Sequence, residues 1–252
     1  MGCCNHFQGK DPIEHVAEAR ARGMIASSEL HGTEISGHYS AGADAAKEMA
    51  LISLTLWVFL PHMCIPSSRH LVIYAIFAIG WSIWRSGRGA WLAWSRLERL
   101  HRIVREEKYE IDNHREDERE ELMALYATKG FRGKLLEEVV QVLMADDNRL
   151  LRVMVEEELG LSLGVHEHPL KQGFGAAVGV IASVLLTCLG YIVWPAYGVP
   201  IASLLAIGIA AGIYSALERN RTIPAIVWNI GLGCLTSGCV YFLLDYALGG
   251  AA

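Results

Sequence analysis

The chain lacks most of the signatures that would mark it as a secreted protein or a soluble enzyme. No basic stretch runs directly into an apolar core near its start, so no secretory signal is expected; the first strongly apolar run begins near Met49. Met1-Gly2-Cys3-Cys4 is similar to a lipidation start, but His6 stands where an acylation signal calls for Ser or Thr. Six cysteines, at 3, 4, 64, 188, 234 and 239, form no CxxC pair, and several fall inside apolar blocks. That spacing argues against disulfides and against a zinc knuckle. No Ser/His pair, HExxH or paired aspartates stand out, so no enzyme is expected, and no nucleic-acid partner either.

What is present is apolar sequence in blocks. Hydrophobic residues make up 52% of the chain. They gather in Met49–Ile65, Leu71–Trp84, Phe174–Trp194, Ile201–Leu217 and Ile223–Leu248, while 85–172 holds most of the charge. Phe174–Trp194 and Ile223–Leu248 reach the roughly 20 residues that a 30 Å hydrocarbon layer asks of a helix, and Ile201–Leu217 comes close. The first two are no longer than Ile201–Leu217. The expected fold is all-α, a helical membrane protein of about five spans with a three-helix cytoplasmic insert.

Basic residues near span ends mark the cytoplasmic side. Arg85, Arg88, Arg96 and Arg99 follow the second block, Lys171 precedes the third, and Arg219 and Arg221 join the fourth and fifth. The connection 195–200 and the tail 249–252 carry none; only Arg69 opposes the pattern. This predicts a cytoplasmic N-terminal segment at 1–46, two spans in 47–95, a cytoplasmic helical domain at 96–168 and three spans in 169–252. Tryptophans 81, 84, 91 and 94 read as an interfacial belt. Gly175/Gly179 and Gly208/Gly212, at helical spacing, read as points of close helix packing.

Within the central region, Trp91 to about Ala127 has no Pro or Gly and is rich in Glu, Arg and Leu, which predicts one long helix. A turn bounded by glycines at 129–133 should end it. Leu135–Met144 reads as a second, amphipathic helix, and Asp147 as the cap of a third over Arg149–Leu159, stopped by Gly160.

On the long helix, Glu107, Glu110, His114, Glu118 and Glu121 fall within an arc of about 80° at about 100° per residue. Like charges so spaced oppose the helix by about 1 kcal/mol in total. A bound cation reverses that sign, and carboxylates with an imidazole favour harder or borderline divalent ions. A solvated charged helix fits the same pattern, because Glu106, Asp112, Glu116, Asp117 and Glu120 place acid on other faces, near Lys108, Arg115 and Arg119. His166-Glu167-His168 reads as an interfacial loop, with an extension of a metal site as the alternative. His31 and His38 read as solvent-exposed.

The order Glu107-x2-Glu110-x7-Glu118-x2-Glu121, followed by Met154 and Glu158-Leu159-Gly160-Leu161, resembles the vacuolar iron transporter family. The resemblance runs from about residue 100 to the C-terminus and includes His168-Pro169-Leu170-Lys171 at the entry to the third span. It implies a five-span homodimer in the lipid bilayer that exports ferrous iron or manganese from the cytosol in exchange for protons. It implies that Glu107, Glu110, Glu118, Glu121, Met154 and Glu158 collect the divalent metal ion, with zinc as a surrogate. His114 and Glu157 are further candidate ligands. Gly42-Ala43-Asp44 is similar to the family's entry into the first span, which makes Asp44 a candidate for the transport path. The host membrane would be a plasma or inner membrane, or a vacuolar one.

The chain departs from the family's pattern in several places. Val155 stands where a second methionine is usual and Ser162 where a glutamate follows the ELGL-like motif. In the second span Trp81-Ser82-Ile83-Trp84-Arg85-Ser86-Gly87-Arg88-Gly89 replaces a sequence that supplies a methionine and a glutamate to the path. Arginines there repel a divalent cation. The alternative function is therefore a membrane-anchored metal buffer or sensor that has lost transport.

Overall fold

The computed structural model describes residues 36–161 and 167–248. Its regular elements are all helical. They are α1 Gly37–His62, a 3-10 turn Ser67–Arg69, α2 His70–Asn113, α3 Arg115–Thr128, α4 Gly133–Met144, α5 Asp147–Val153, a π-turn Met154–Glu158, α6 Pro169–Val193, α7 Gly198–Leu217 and α8 Thr222–Ala247. No strand occurs among the described residues. Among the described residues, contacts divide the chain into two units, one holding 95–161, the other 36–94 and 167–248.

In the second unit, α6, α7 and α8 are each long and apolar enough to cross a membrane, at 25, 20 and 26 residues. The expected first two spans fall in α1 and α2, which combine shorter apolar stretches with charged turns. Helix α1 packs against α6, α7 and α8, α6 against α7, and α7 against α8. Backbone approaches backbone along α1 and α6. A Cβ on Gly175 would strike the His38 carbonyl, and one on Gly179 the Gly42 carbonyl. Gly208 and Gly212 make room for Ile230 and Ile226 of α8, where added Cβ atoms would stand 3.3 and 3.2 Å away. The expected close packing at both glycine pairs is present. The outward residues of α8, among them Ile223, Val227, Trp228 and Phe242, are exposed and apolar, as a lipid-facing helix requires.

Two boundaries in the first two helices differ from those read in the sequence. Helix α1 starts at Gly37, well ahead of the apolar run at Met49, because alanines at 41, 43, 45 and 46 extend the helix and Ala41 and Ala45 pack against α6. The second apolar block and the start of the predicted long helix are one element, α2, of 44 residues. Gly80 and Gly87 face open space and Gly89 lies by the Gln172 carbonyl, so none of them breaks it.

The other unit is built on a core of Ile111, Leu122, Leu125, Tyr126, Leu136, Val140, Leu150 and Met154. Helix α3 ends as the glycines predict. Gly130 is left-handed (φ 96°), the Phe131 N–H donates to the Tyr126 carbonyl at 3.2 Å and the Gly130 N–H to Ala127 at 3.0 Å. The Phe131 and Tyr126 rings close the motif at 5.6 Å between centroids. Helix α4 starts at Gly133 rather than Leu135. Asp146, not Asp147, caps α5 by accepting from the Arg149 N–H at 2.8 Å; Asp147 instead binds Arg115 at 2.7 Å.

Candidate metal centre

The predicted single helix from Trp91 to Ala127 is interrupted at His114, whose φ of −130° and ψ of 38° lie far from helical values. Backbone hydrogen bonds still bracket the break: the His114 N–H donates to Glu110 at 2.7 Å and the Glu118 N–H to His114 at 3.1 Å. The result is a bend, and the bend brings the carboxylates together. Along a straight helix Glu107 and Glu118 would stand about 16 Å apart, too far for their side chains to meet. Here carboxylate oxygens of Glu107, Glu110 and Glu118 lie within 4.8 Å of one another.

These carboxylates are not splayed into solvent. Glu107 is 7% exposed, Glu118 0%, Glu121 2% and Glu158 3%. Both Glu118 oxygens are buried with no hydrogen-bond partner among the described residues. Burial, reinforced by Glu110 and Glu121, pushes the Glu107 carboxyl up to about 8. Glu118 rises to about 10, from burial first and then from Glu107, Glu121, Glu158 and Glu110. The five glutamates therefore feel one another's charge. A buried, unpartnered carboxylate is costly unless protonated or bound to a cation.

Met154 and Glu158 come from the π-turn that ends α5, in which the Leu159 N–H donates to the Met154 carbonyl at 3.1 Å. Such turns often occur at functional sites. Met154 is fully buried in the same core as Ile111 and Leu122, neighbours in sequence of Glu110 and Glu121. Val155, at the family's second methionine position, is fully buried too. Ser162 and His166 lie outside the described residues.

The remaining candidates sit elsewhere. His114 is half-buried at the bend with Nδ1 3.7 Å from Asp117. Glu157 is engaged by Lys129 in an ion pair and accepts from the Tyr126 hydroxyl at 3.2 Å, on the rim of the unit. Asp44 is half exposed on α1, with Lys47 Nζ 2.8 Å away. His38 is not the free surface residue read from the sequence: its N–H donates to Glu167 Oε2 at 2.9 Å and its ring pairs with the other oxygen. His168 Nδ1 accepts from the Leu170 N–H at 3.3 Å and so caps α6.

Sequence reasoning missed one further pair. Arg85, 7% exposed, meets Glu48 of α1 at 3.0 Å. Its only signal was a charge set inside an apolar context, on two helices far apart in sequence.

Two comparisons bear on identity. No curated protein matches the chain. The sequence pattern that defines the VIT family matches residues 86–245, which is well over half of the chain and contains every carboxylate of the cluster. The bent helix, its buried glutamates and the apolar helices that follow are thus matched together, and the chain belongs to the VIT (vacuolar iron transporter) family.

Proposed function

We propose that the protein is a five-span membrane transporter that captures ferrous iron or manganese at the glutamate cluster on the cytoplasmic side and exports it in exchange for protons, working as a homodimer. The observation that carries this reading is Glu118: a fully buried carboxylate with neither oxygen hydrogen-bonded, among four other glutamates. An all-oxygen set suits manganese, and Met154 nearby in the core adds a softer donor suited to ferrous iron. Glu107, Glu110, Glu118, Glu121 and Glu158 supply the oxygens. With pKa values near 8 and 10, Glu107 and Glu118 hold protons at neutral pH, so capture displaces them. That gives the site a chemical link between metal and proton.

The test is uptake of manganese or ferrous iron into proteoliposomes, with and without a pH gradient. Gradient-dependent uptake supports the proposal. Metal binding by the protein without any flux supports the second reading, a membrane-anchored buffer or sensor, which the ion pair of buried Arg85 with Glu48 favours.

A further inference from the structure

Helix α1 carries Asp44, Lys47 and Glu48 within little more than one turn, and its uncharged stretch after them is short. Met49–Leu60 rises only about 18 Å, less than the roughly 30 Å hydrocarbon layer. If α1 spans, as the proposed five-span arrangement requires, those three charges lie inside the layer. Helix α2 leads to the same depth independently. Leu71 to Trp91 covers about 30 Å, and Trp91 with Trp94, ring centroids 5.1 Å apart, marks the interface. Arg85 therefore also lies within the layer, where ionisable groups are costly and usually functional.

The four charges are arranged as two closed pairs. Arg85 Nε stands 3.0 Å from Glu48 and Lys47 Nζ 2.8 Å from Asp44. Lys47 also lies over the Tyr214 ring of α7, 5.6 Å from its centroid. Two carboxylates one turn apart on a single helix face are a natural foothold for a dication. Here a guanidinium and an ammonium already hold that place, and the local charge sums to zero. The cations are the enclosed partners, at 8% and 21% side-chain exposure, whereas Glu48 and Asp44 keep 40% and 52%.

We propose that Arg85 sets whether Asp44 and Glu48 are open to a divalent cation: its guanidinium, with Lys47, is a built-in counter-ion occupying the position a transported dication must take. This rests on the transporter reading above for its setting. A cation passing this level displaces Arg85 from Glu48, so the pair restricts passage, and removing the charge on Arg85 frees Glu48 and leaves the group of four one unit negative.

The experiment uses the full chain in phospholipid nanodiscs with Glu107, Glu110, Glu118 and Glu121 changed to Gln, so that the other site is silent, and Mn2+ as the probe. Adding Arg85→Gln is expected to create a Mn2+ site at least tenfold tighter than any in the parent, read by electron paramagnetic resonance. A further Glu48→Gln should remove it, and Arg85→Lys should leave the parent's behaviour. No gain in a variant that keeps its helical circular dichroism overturns the proposal. Should Arg85→Gln fail to fold, Lys47→Gln replaces it, with a gain of at least threefold expected and no gain again overturning the idea. Flux is measured in parallel with the glutamates intact. Binding gain without flux in any variant sinks the transporter reading and leaves the role of Arg85 standing, while flux unchanged by Arg85→Gln with no binding gain does the reverse.

Discussion

Glu118 concentrates the chemistry of the cluster in one side chain. Its raised pKa, like that of Glu107, means that the folded protein binds protons the unfolded chain would release. Stability from these two groups is fully present below about pH 4.5 and is lost as pH rises, through about 8 for Glu107 and about 10 for Glu118. Without metal, the melting temperature should therefore fall between pH 5 and pH 9. Saturating Mn2+ should flatten that slope, which differential scanning calorimetry will show. Glu118→Gln keeps the shape and removes the ionisation, so the same slope should shrink while Mn2+ affinity drops at least tenfold by titration calorimetry. A slope unchanged in this variant would mean that Glu118 is not the group being titrated. Apparent Mn2+ affinity should rise with pH from 6 to 8, by up to about tenfold per unit for each proton displaced.

At the scale of the element, the bend at His114 separates what the sequence makes legible from what it does not. Angular register puts Glu107, Glu110, Glu118 and Glu121 on one face, and carboxylate oxygens of three of them, Glu107, Glu110 and Glu118, come within 4.8 Å of one another. The long helix predicted to hold them is wrong, because nothing local in Asn113-His114-Arg115 announces a break. The Arg115 contacts with Asp147 and with the Met144 carbonyl that accompany it come from about 30 residues away. The turn at Gly130 was legible since a left-handed residue there needs glycine. The pairs Arg85–Glu48 and His38–Glu167 were not, since each joins helices through tertiary packing with no spacing rule. The glycines of α1 and α6 give a sharp contrast. Gly179→Ala forces a Cβ into the Gly42 carbonyl, backbone against backbone, and is expected to cost about 1–3 kcal/mol, seen as a lower melting temperature or loss of monodisperse protein. Gly231→Ala on α8 meets open space and should be neutral or stabilising by up to about 1 kcal/mol.

At the scale of the whole molecule, a collecting site and a conducting path are different parts with different kinetic signatures. If the glutamate cluster gathers ions for the path, Glu110→Gln should raise the KM for Mn2+ flux several-fold and leave the maximal rate nearly unchanged. Arg85→Gln should raise the maximal rate. Proteoliposome flux over a range of Mn2+ concentrations separates the two, and a loss of maximal rate in Glu110→Gln would place the cluster on the path itself.

If Glu107 and Glu118 rest protonated, as raised pKa values of about 8 and 10 imply, capture of a dication at the proposed site has an electrical consequence. Trading two protons for one doubly charged ion would leave the sum of charges in the cluster as it was, so the acidity of the surrounding solution would become a main control on how much metal is held.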